Sequence, residues 1–179
     1  MEQEQLIIEK IANGDRGAMR VLYEQLAGYA MAVAQRYLPQ NDDAKDVVQD
    51  SFVKVFTHIA DFQYRGEGSL KAWMMRIVAN EAINALRRTE KLSFVADLPD
   101  EPDDEPPDIG NVPADVLQRL IGALPPGYRT VLNLFVFEQK SHKQIAHMLG
   151  IKENSSASQF LRAKKMLARL INDYLQSRT

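Results

Sequence analysis

Cysteine is missing from the 179-residue chain, and its absence excludes disulfides, thiolate catalysis and cysteine-based zinc sites. A reducing cytosol is the compartment that suits such a chain. Histidine is almost as scarce. His58, His142 and His147 are the only 3, and none stands with carboxylates as a metal or catalytic set. No apolar run approaches the roughly eighteen residues of a membrane span. The opening MEQEQLIIEK is acidic where a secretory signal would be basic. Strand-like alternation is lacking too, and Gly and Pro fall between segments of helical period. The expectation is a cytoplasmic, all-helical protein with no catalytic residues, no cofactor or metal, and no membrane contact of its own.

What is present is ample apolar content and a divided charge. Hydrophobic residues make up 45% of the chain, enough to bury real cores. The net charge of -2 and pI near 5.9 argue, taken whole, against nucleic-acid binding. Along the chain the picture differs. Residues 1–96 hold 12 basic and 13 acidic side chains, residues 97–115 hold 0 and 8, and residues 116–179 hold 10 and 3. A C-terminal third at +7 favours a polyanion; the middle block at -8 does not. That middle block reads DLPDEPDDEPPDIGNVP, with Pro99, Pro102, Pro106, Pro107 and Pro113 among its acids. Proline withholds backbone donors and like charges repel, so residues 97–115 read as an extended, flexible linker between domains 1–96 and 116–179.

Helical period sets the elements. Ile7, Ile8 and Ile11 begin a face that ends at Asn13-Gly14-Asp15. A second helix runs from about Arg16 to Leu38, before Pro39, with Met19, Leu22, Tyr23, Leu26, Ala30 and Val33 inward. A third starts among Asn41, Asp42 and Asp43 and reaches about Ile59; a fourth spans about Leu70 to Arg88 after a glycine-bearing loop. Beyond the linker, a helix near Ala114–Ala123 precedes one opened by Pro125 and Pro126, with Val131, Leu132 and Phe135 inward, and two more flank Gly150. The fold class is all-α, two small helical bundles.

Three segments carry chemistry. In SHKQIAHMLGIKENSSASQFLRAKKML, residues 141–167, Ile145, Ala146 and Leu149 form an apolar stripe, Gly150 permits a tight turn and Ile151 plugs the angle. Phe160, Ala163, Leu167 and Leu170 continue the core. This is helix-turn-helix spacing, whose second helix lies in the DNA major groove. Its outward side offers Asn154, Ser155, Ser158, Gln159, Arg162 and Lys165 to base edges and phosphates; a plain helical hairpin with a solvated basic face is the bland alternative. In DDAKDVVQDSF, residues 42–52, Val48, Phe52, Val55, Phe56 and Ile59 share one face, and Asp46, Gln49, Asp50 and Val53 share the other. That acidic face suits a basic protein surface; a divalent cation or plain solvent is the rival occupant. In DFQYRGEGSLKAWMMRIVANEAINALRR, residues 61–88, Phe62, Tyr64 and Arg65 sit in a loop with Gly66 and Gly68, able to hold an unstacked base against a ring or guanidinium. Lys71, Arg76, Arg87 and Arg88 add cations on the following helix, while Trp73, Ile77 and Ile83 read as core.

Together these runs resemble extracytoplasmic-function alternative sigma factors of the sigma-70 family. The C-terminal resemblance rests on Leu124-Pro125, on Ile145, Ala146, Leu149, Gly150 and Ile151, and on RAKKML at 162–167. Two departures stand out: Lys152 replaces a Ser or Thr cap, which moves the expected cap to Asn154 or Ser155, and Ser156 replaces an apolar residue. The resemblance implies that Ala157, Ser158, Leu161 and Arg162 face the −35 promoter element. It implies that Asp46, Gln49 and Asp50, with Phe52 as core, bind the β′ clamp helices of core RNA polymerase. It also implies that Phe62 and Asn80 lie near single-stranded DNA of the −10 element, although FQYRG is two residues longer than the usual spacing after Phe62.

The function so implied is transcription initiation: tethering to core RNA polymerase, recognition of −10 and −35 promoter DNA, and melting, with an anti-sigma factor as regulatory partner. A dimeric helix-turn-helix regulator that works without polymerase would leave the 42–52 face unexplained. An enzyme in a helical bundle lacks a catalytic set.

Overall fold

The computed structural model describes residues 3–89, 92–94 and 105–178. Positions 97–104 of the expected linker lie outside the described residues. Among the described residues there are eight α-helices and no strand, in two compact units, Met1–Ala85 and Leu86–Thr179. No helix among them is long and apolar enough to cross a membrane.

In the first unit, α1 (Gln3–Ala12) stops at Gly14, whose φ of +84° lies in the left-handed region that side chains disfavour. Asp15 then caps α2 (Arg16–Tyr37), its carboxylate accepting from the Ala18 amide at 3.1 Å. Pro39 follows directly, and α3 (Asn41–His58) begins with Asp42 and Asp43 in its first turn, where the helix dipole favours negative charge. A 3₁₀ turn at Ile59–Asp61 and a loop lead into α4 (Ser69–Arg88), whose last residues, from Leu86, belong to the second unit. Helix α2 packs along α1 and α3. Leu22, Ala30, Val33, Val48, Phe52, Val55, Ile59, Met74 and Val78 are buried in this unit; each larger aliphatic contributes on the order of 1.5–3 kcal/mol. A Lys54–Glu81 ion pair ties α3 to α4, with the carboxylate buried. Tyr23, expected inward, is 46% exposed, with its ring 4.6 Å from that of Phe52. It lies at the rim of the α2–α3 contact rather than under it.

In the second unit, α5 (Ala114–Gly122), α6 (Pro126–Val136) and α7 (His142–Leu149) all pack against α8 (Glu153–Gln176). Pro126 occupies the first turn of α6, where its missing N–H costs nothing. Helix α6 is buried from Gly127 to Leu134. Arg129 within it donates to the Gly122 and Leu124 carbonyls at 3.0 and 2.9 Å, meeting acceptors that the end of α5 leaves open. Burial pushes its guanidinium down to about 10, so it stays charged at neutral pH. Ile121, Leu124, Tyr128, Leu132 and Ala163 form the core, with Leu117, Phe160, Leu167 and Leu170 against it. Phe135 is 36% exposed rather than inward; its ring stacks on His142 at 4.6 Å and meets Phe160 at 4.3 Å.

Candidate nucleic-acid and partner interface

The acidic face of α3 follows from its period. Ala44, Val47, Val48, Ser51, Phe52 and Val55 take the buried side, which leaves Asp46, Gln49, Asp50 and Val53 in solvent. Val53 is 65% exposed, an apolar side chain held in water beside two carboxylates. Charge around an exposed apolar centre is the composition of a protein-docking patch.

The loop between α3 and α4 is shaped from both ends. Gly66 and Gly68 adopt φ of +109° and +86°, conformations that glycine alone takes without strain. The Glu4 carboxylate, from the start of α1, accepts from the Gly68 amide at 2.6 Å and the Leu70 amide at 2.7 Å. It thereby satisfies open donors at the start of α4. Beside this loop is an open cleft of about 790 Å³ lined by Lys54, Phe62, Arg65, Trp73, Arg76 and Ile77 among others. The Phe62 and Trp73 rings lie 4.9 Å apart and tilted by 37°. Aromatic faces beside cations are what an unstacked base and its phosphate need.

Of the residues expected near single-stranded DNA, Phe62, Arg65 and Arg76 line this cleft. Tyr64 does not: its hydroxyl is buried and makes no hydrogen bond. Lys71 lies 3.2 Å from the centre of the Tyr29 ring, a cation–π contact away from the cleft lining. Asn80 is exposed, and its spacing of seven and four from Trp73 and Arg76 puts it on the same stripe of α4. Arg88 is exposed at the end of α4, and Arg87 donates to the Met148 carbonyl at 2.6 Å. Trp73 and Ile77, which spacing suggested were core, are half-buried and line the cleft. An aromatic with helical spacing looks like core until the loop beside it is in place. Ile83 is buried.

Helices α7 and α8 form the helix-turn-helix. Ser141 and Gln144 make a reciprocal capping box on α7, with bonds of 3.2 and 2.9 Å. Gly150 closes the helix at φ +66°. The Ile151 amide then bonds back to the Ala146 carbonyl at 3.0 Å, fixing the turn. Helix α8 starts at Glu153, with Lys152 as its N-cap and no side-chain capping bond. The cap therefore sits at Lys152, not at Asn154 or Ser155. Ser156, where the family has an apolar residue, is fully buried with its hydroxyl 3.0 Å from His142 Nδ1; that partner makes a buried hydroxyl tolerable. Gln159 is buried as well, so it leaves the outward set. Asn154, Ala157, Ser158 and Leu161 are exposed, and Ser155, Arg162 and Lys165 are half-exposed.

A bundle with an exposed acidic face and a helix-turn-helix unit with a cationic outer face fit a DNA-binding transcription protein. The family profile for Sigma-70 region 2 matches residues 22–92, and that for Sigma-70 region 4 matches residues 114–167. The ECF RNA polymerase sigma-E factor of Haemophilus influenzae is 29% identical over 179 aligned positions, covering 92% of this chain and 93% of the relative. The ECF RNA polymerase sigma factor SigE of Mycolicibacterium smegmatis is 30% identical, covering 92% of this chain and 65% of the relative. Among solved structures, the sigma factor RpoE in complex with the anti-sigma factor NepR from Bartonella quintana shares the fold, with a TM-score of 0.53 at 20% identity, over 86% of this chain and 96% of that one. CnrH in complex with the cytosolic domain of CnrY matches with a TM-score of 0.51 at 24% identity, over 96% and 99%. The chain belongs to the extracytoplasmic-function group of the sigma-70 family. It is a transcription initiation factor, not an enzyme.

Proposed function

We propose that three surfaces divide the work of initiation. The α3 face of Asp46, Gln49, Asp50 and Val53 binds the β′ clamp helices of core RNA polymerase. The Phe62–Trp73 cleft takes an unstacked base of the −10 element, with Arg65 and Arg76 on the backbone and Asn80 further along the strand. Tyr64 shapes the loop from within, and Lys71, Arg87 and Arg88 supply charge beside the path of the DNA. The outer face of α8, from Asn154 and Ser155 through Ala157, Ser158 and Leu161 to Arg162 and Lys165, enters the major groove at the −35 element. Leu161 and Ala157 offer apolar contact to a thymine methyl. Unstacking a base costs a few kcal/mol, which stacking worth about 1–3 kcal/mol per base offsets.

The observation that carries this reading is the pairing of Phe62 and Trp73 over an open cleft flanked by Lys54, Arg65 and Arg76. The domain division 1–96, 97–115 and 116–179 goes with it, the acidic stretch connecting the two DNA readers. The solved relatives are described with an anti-sigma factor or a cytosolic partner domain bound. An anti-sigma factor that covers the α3 and α8 faces of this protein in the cytoplasm is part of the proposal.

Run-off transcription with core polymerase and a promoter library tests it. Asp50→Arg, at an exposed position that packs against nothing in the core, is expected to leave the circular-dichroism melt unchanged and to abolish initiation. Initiation at the wild-type rate with that variant would overturn the tethering assignment.

A further inference from the structure

Among its described residues, the chain between α4 and α5 approaches α6 at one place and α8 at another. At the first, the Ser93 carbonyl comes so close to α6 that a Cβ added to Gly127 would lie 2.3 Å from it and 3.4 Å from the Phe94 ring. A backbone atom cannot yield as a side-chain tip can, so the bare glycine is what admits this segment. Phe94, half-buried, shares a depression of about 710 Å³ with Lys152, Asn154, Ser155, Ser158 and Arg162. At the second, the Glu105 carbonyl accepts from Asn172 Nδ2 at 3.0 Å. Pro106 and Pro107 there line a groove with Leu161, Lys164, Lys165 and Ile171. One contact lies along the first half of the outer face of α8; the other begins where it ends.

We infer that this acidic segment, through Ser93–Phe94 and Glu105–Pro107, is an intramolecular occupant of the DNA-reading face of α8 and competes with the −35 element for it. The inference rests on the assignment of that face to DNA. The residues that line the two depressions with the segment include Asn154, Ser155, Ser158, Leu161, Arg162 and Lys165, which are those assigned to bases and phosphates. Phe94 lines one depression with the polar side chains that would read base edges, and the two prolines line the other with Leu161, which stays 53% exposed. Charge works in the same direction. Asp97, Asp100, Glu101, Asp103 and Asp104 each lie only a few residues along the chain from one of the two contacts. The block they belong to carries -8, and the domain sequence that follows it carries +7. Because both ends are tethered, the segment acts at an effective concentration on the order of millimolar. A contact that is weak between separate molecules therefore suffices to keep the face occupied. DNA then binds only the fraction of molecules in which the segment has left, and its apparent affinity falls by that fraction.

Titration of a labelled −35 duplex with the full chain, followed by fluorescence anisotropy, tests this. Three proteins are compared: wild type, the combined variant Phe94→Ala, Pro106→Ala, Pro107→Ala, and that variant carrying Arg162→Glu as well. The triple variant is expected to bind about tenfold more tightly than wild type, a population shift of the size one displaced contact gives. Adding Arg162→Glu should abolish the binding. If Arg162→Glu changes nothing, α8 is not the DNA face and the inference falls with that assignment. If Arg162→Glu weakens binding but the triple variant is no tighter than wild type, the assignment stands and the intramolecular occupant alone is refuted. Should the triple variant fail to fold, chymotrypsin on the wild-type protein decides. Cleavage after Phe94, located by mass spectrometry, should speed up several-fold when the −35 duplex is added, and an unchanged rate would overturn the inference.

Discussion

Glu4 shows how much a single side chain can govern. It lies more than sixty positions before the loop it holds, and its two short bonds to the Gly68 and Leu70 amides connect α1 to the rim of the cleft. Glu4→Ala leaves two donors at the start of α4 without that acceptor, at a cost of about 1–2 kcal/mol because water replaces part of the loss. A thermal melt measures this. The fluorescence of 2-aminopurine in the −10 element should then report slower promoter opening, with core-polymerase affinity unchanged. Nothing in the sequence pointed to Glu4, because the bond depends on a fold that brings the two segments together. Gln159 and Tyr23 depart from the helical-period expectation for a different reason. Ser156, Gln159 and Ala163 lie three and four apart and are all buried, so the inner stripe of α8 includes two polar residues that an apolar-only pattern passes over. Tyr23 satisfies the apolar pattern, yet it sits where the α2 face turns toward solvent, 46% exposed. Periodicity gives the angle of a side chain about its helix; the width of the covered stripe depends on the neighbour.

Element by element, the punctuation of the chain is the most legible feature. Asn13-Gly14-Asp15, Pro39, Pro125-Pro126 and Gly150 each mark a helix end or start within a residue or two, since each acts through its own backbone chemistry. The start of α8 was less legible. Lys152 gives no side-chain bond to the open amides that follow it, whereas Ser or Thr would. Lys152→Ser is therefore expected to stabilise the protein by about 0.5–1 kcal/mol in chemical denaturation. Lowered stability would show instead that Lys152 makes an interaction worth more than a cap. Gly150→Ala should act in the other direction. Alanine at φ +66° costs roughly 1–2 kcal/mol, and relief of that strain would re-aim α8 against α7. Melting temperature should fall, and −35 duplex binding should fall by more than stability alone explains. A variant as stable as wild type would show that the turn tolerates a side chain. The α3–α4 loop resisted reading for the opposite reason: its shape comes from glycines in left-handed conformations and from a distant carboxylate, and only Phe62 of its two aromatics lines the cleft.

Over the whole molecule, net charge hides the function and its distribution reveals it. A chain at -2 with a pI near 5.9 binds a polyanion because its cations and acids occupy separate blocks. Binding should then follow local charge. Lys152, Arg162 and Lys165 lie at the turn or on the outer face of α8, so about three phosphates are neutralised there and log K should fall with log salt at a slope near −3. Arg162→Ala should make that slope shallower by about 1. The acidic block modifies this expectation. If its carboxylates already attend those cations, DNA displaces a tethered counterion instead of free ones, and fewer ions are released to the solution. The wild-type slope should accordingly be shallower than that of a variant with Asp97, Asp100, Glu101, Asp103 and Asp104 changed to their amides. That variant should also bind more tightly at low salt, and the two curves should converge as salt screens the attraction between the blocks. Parallel lines at all salt concentrations would mean that the carboxylates act only through net charge. Crossing or converging lines would locate their effect on the DNA-reading face.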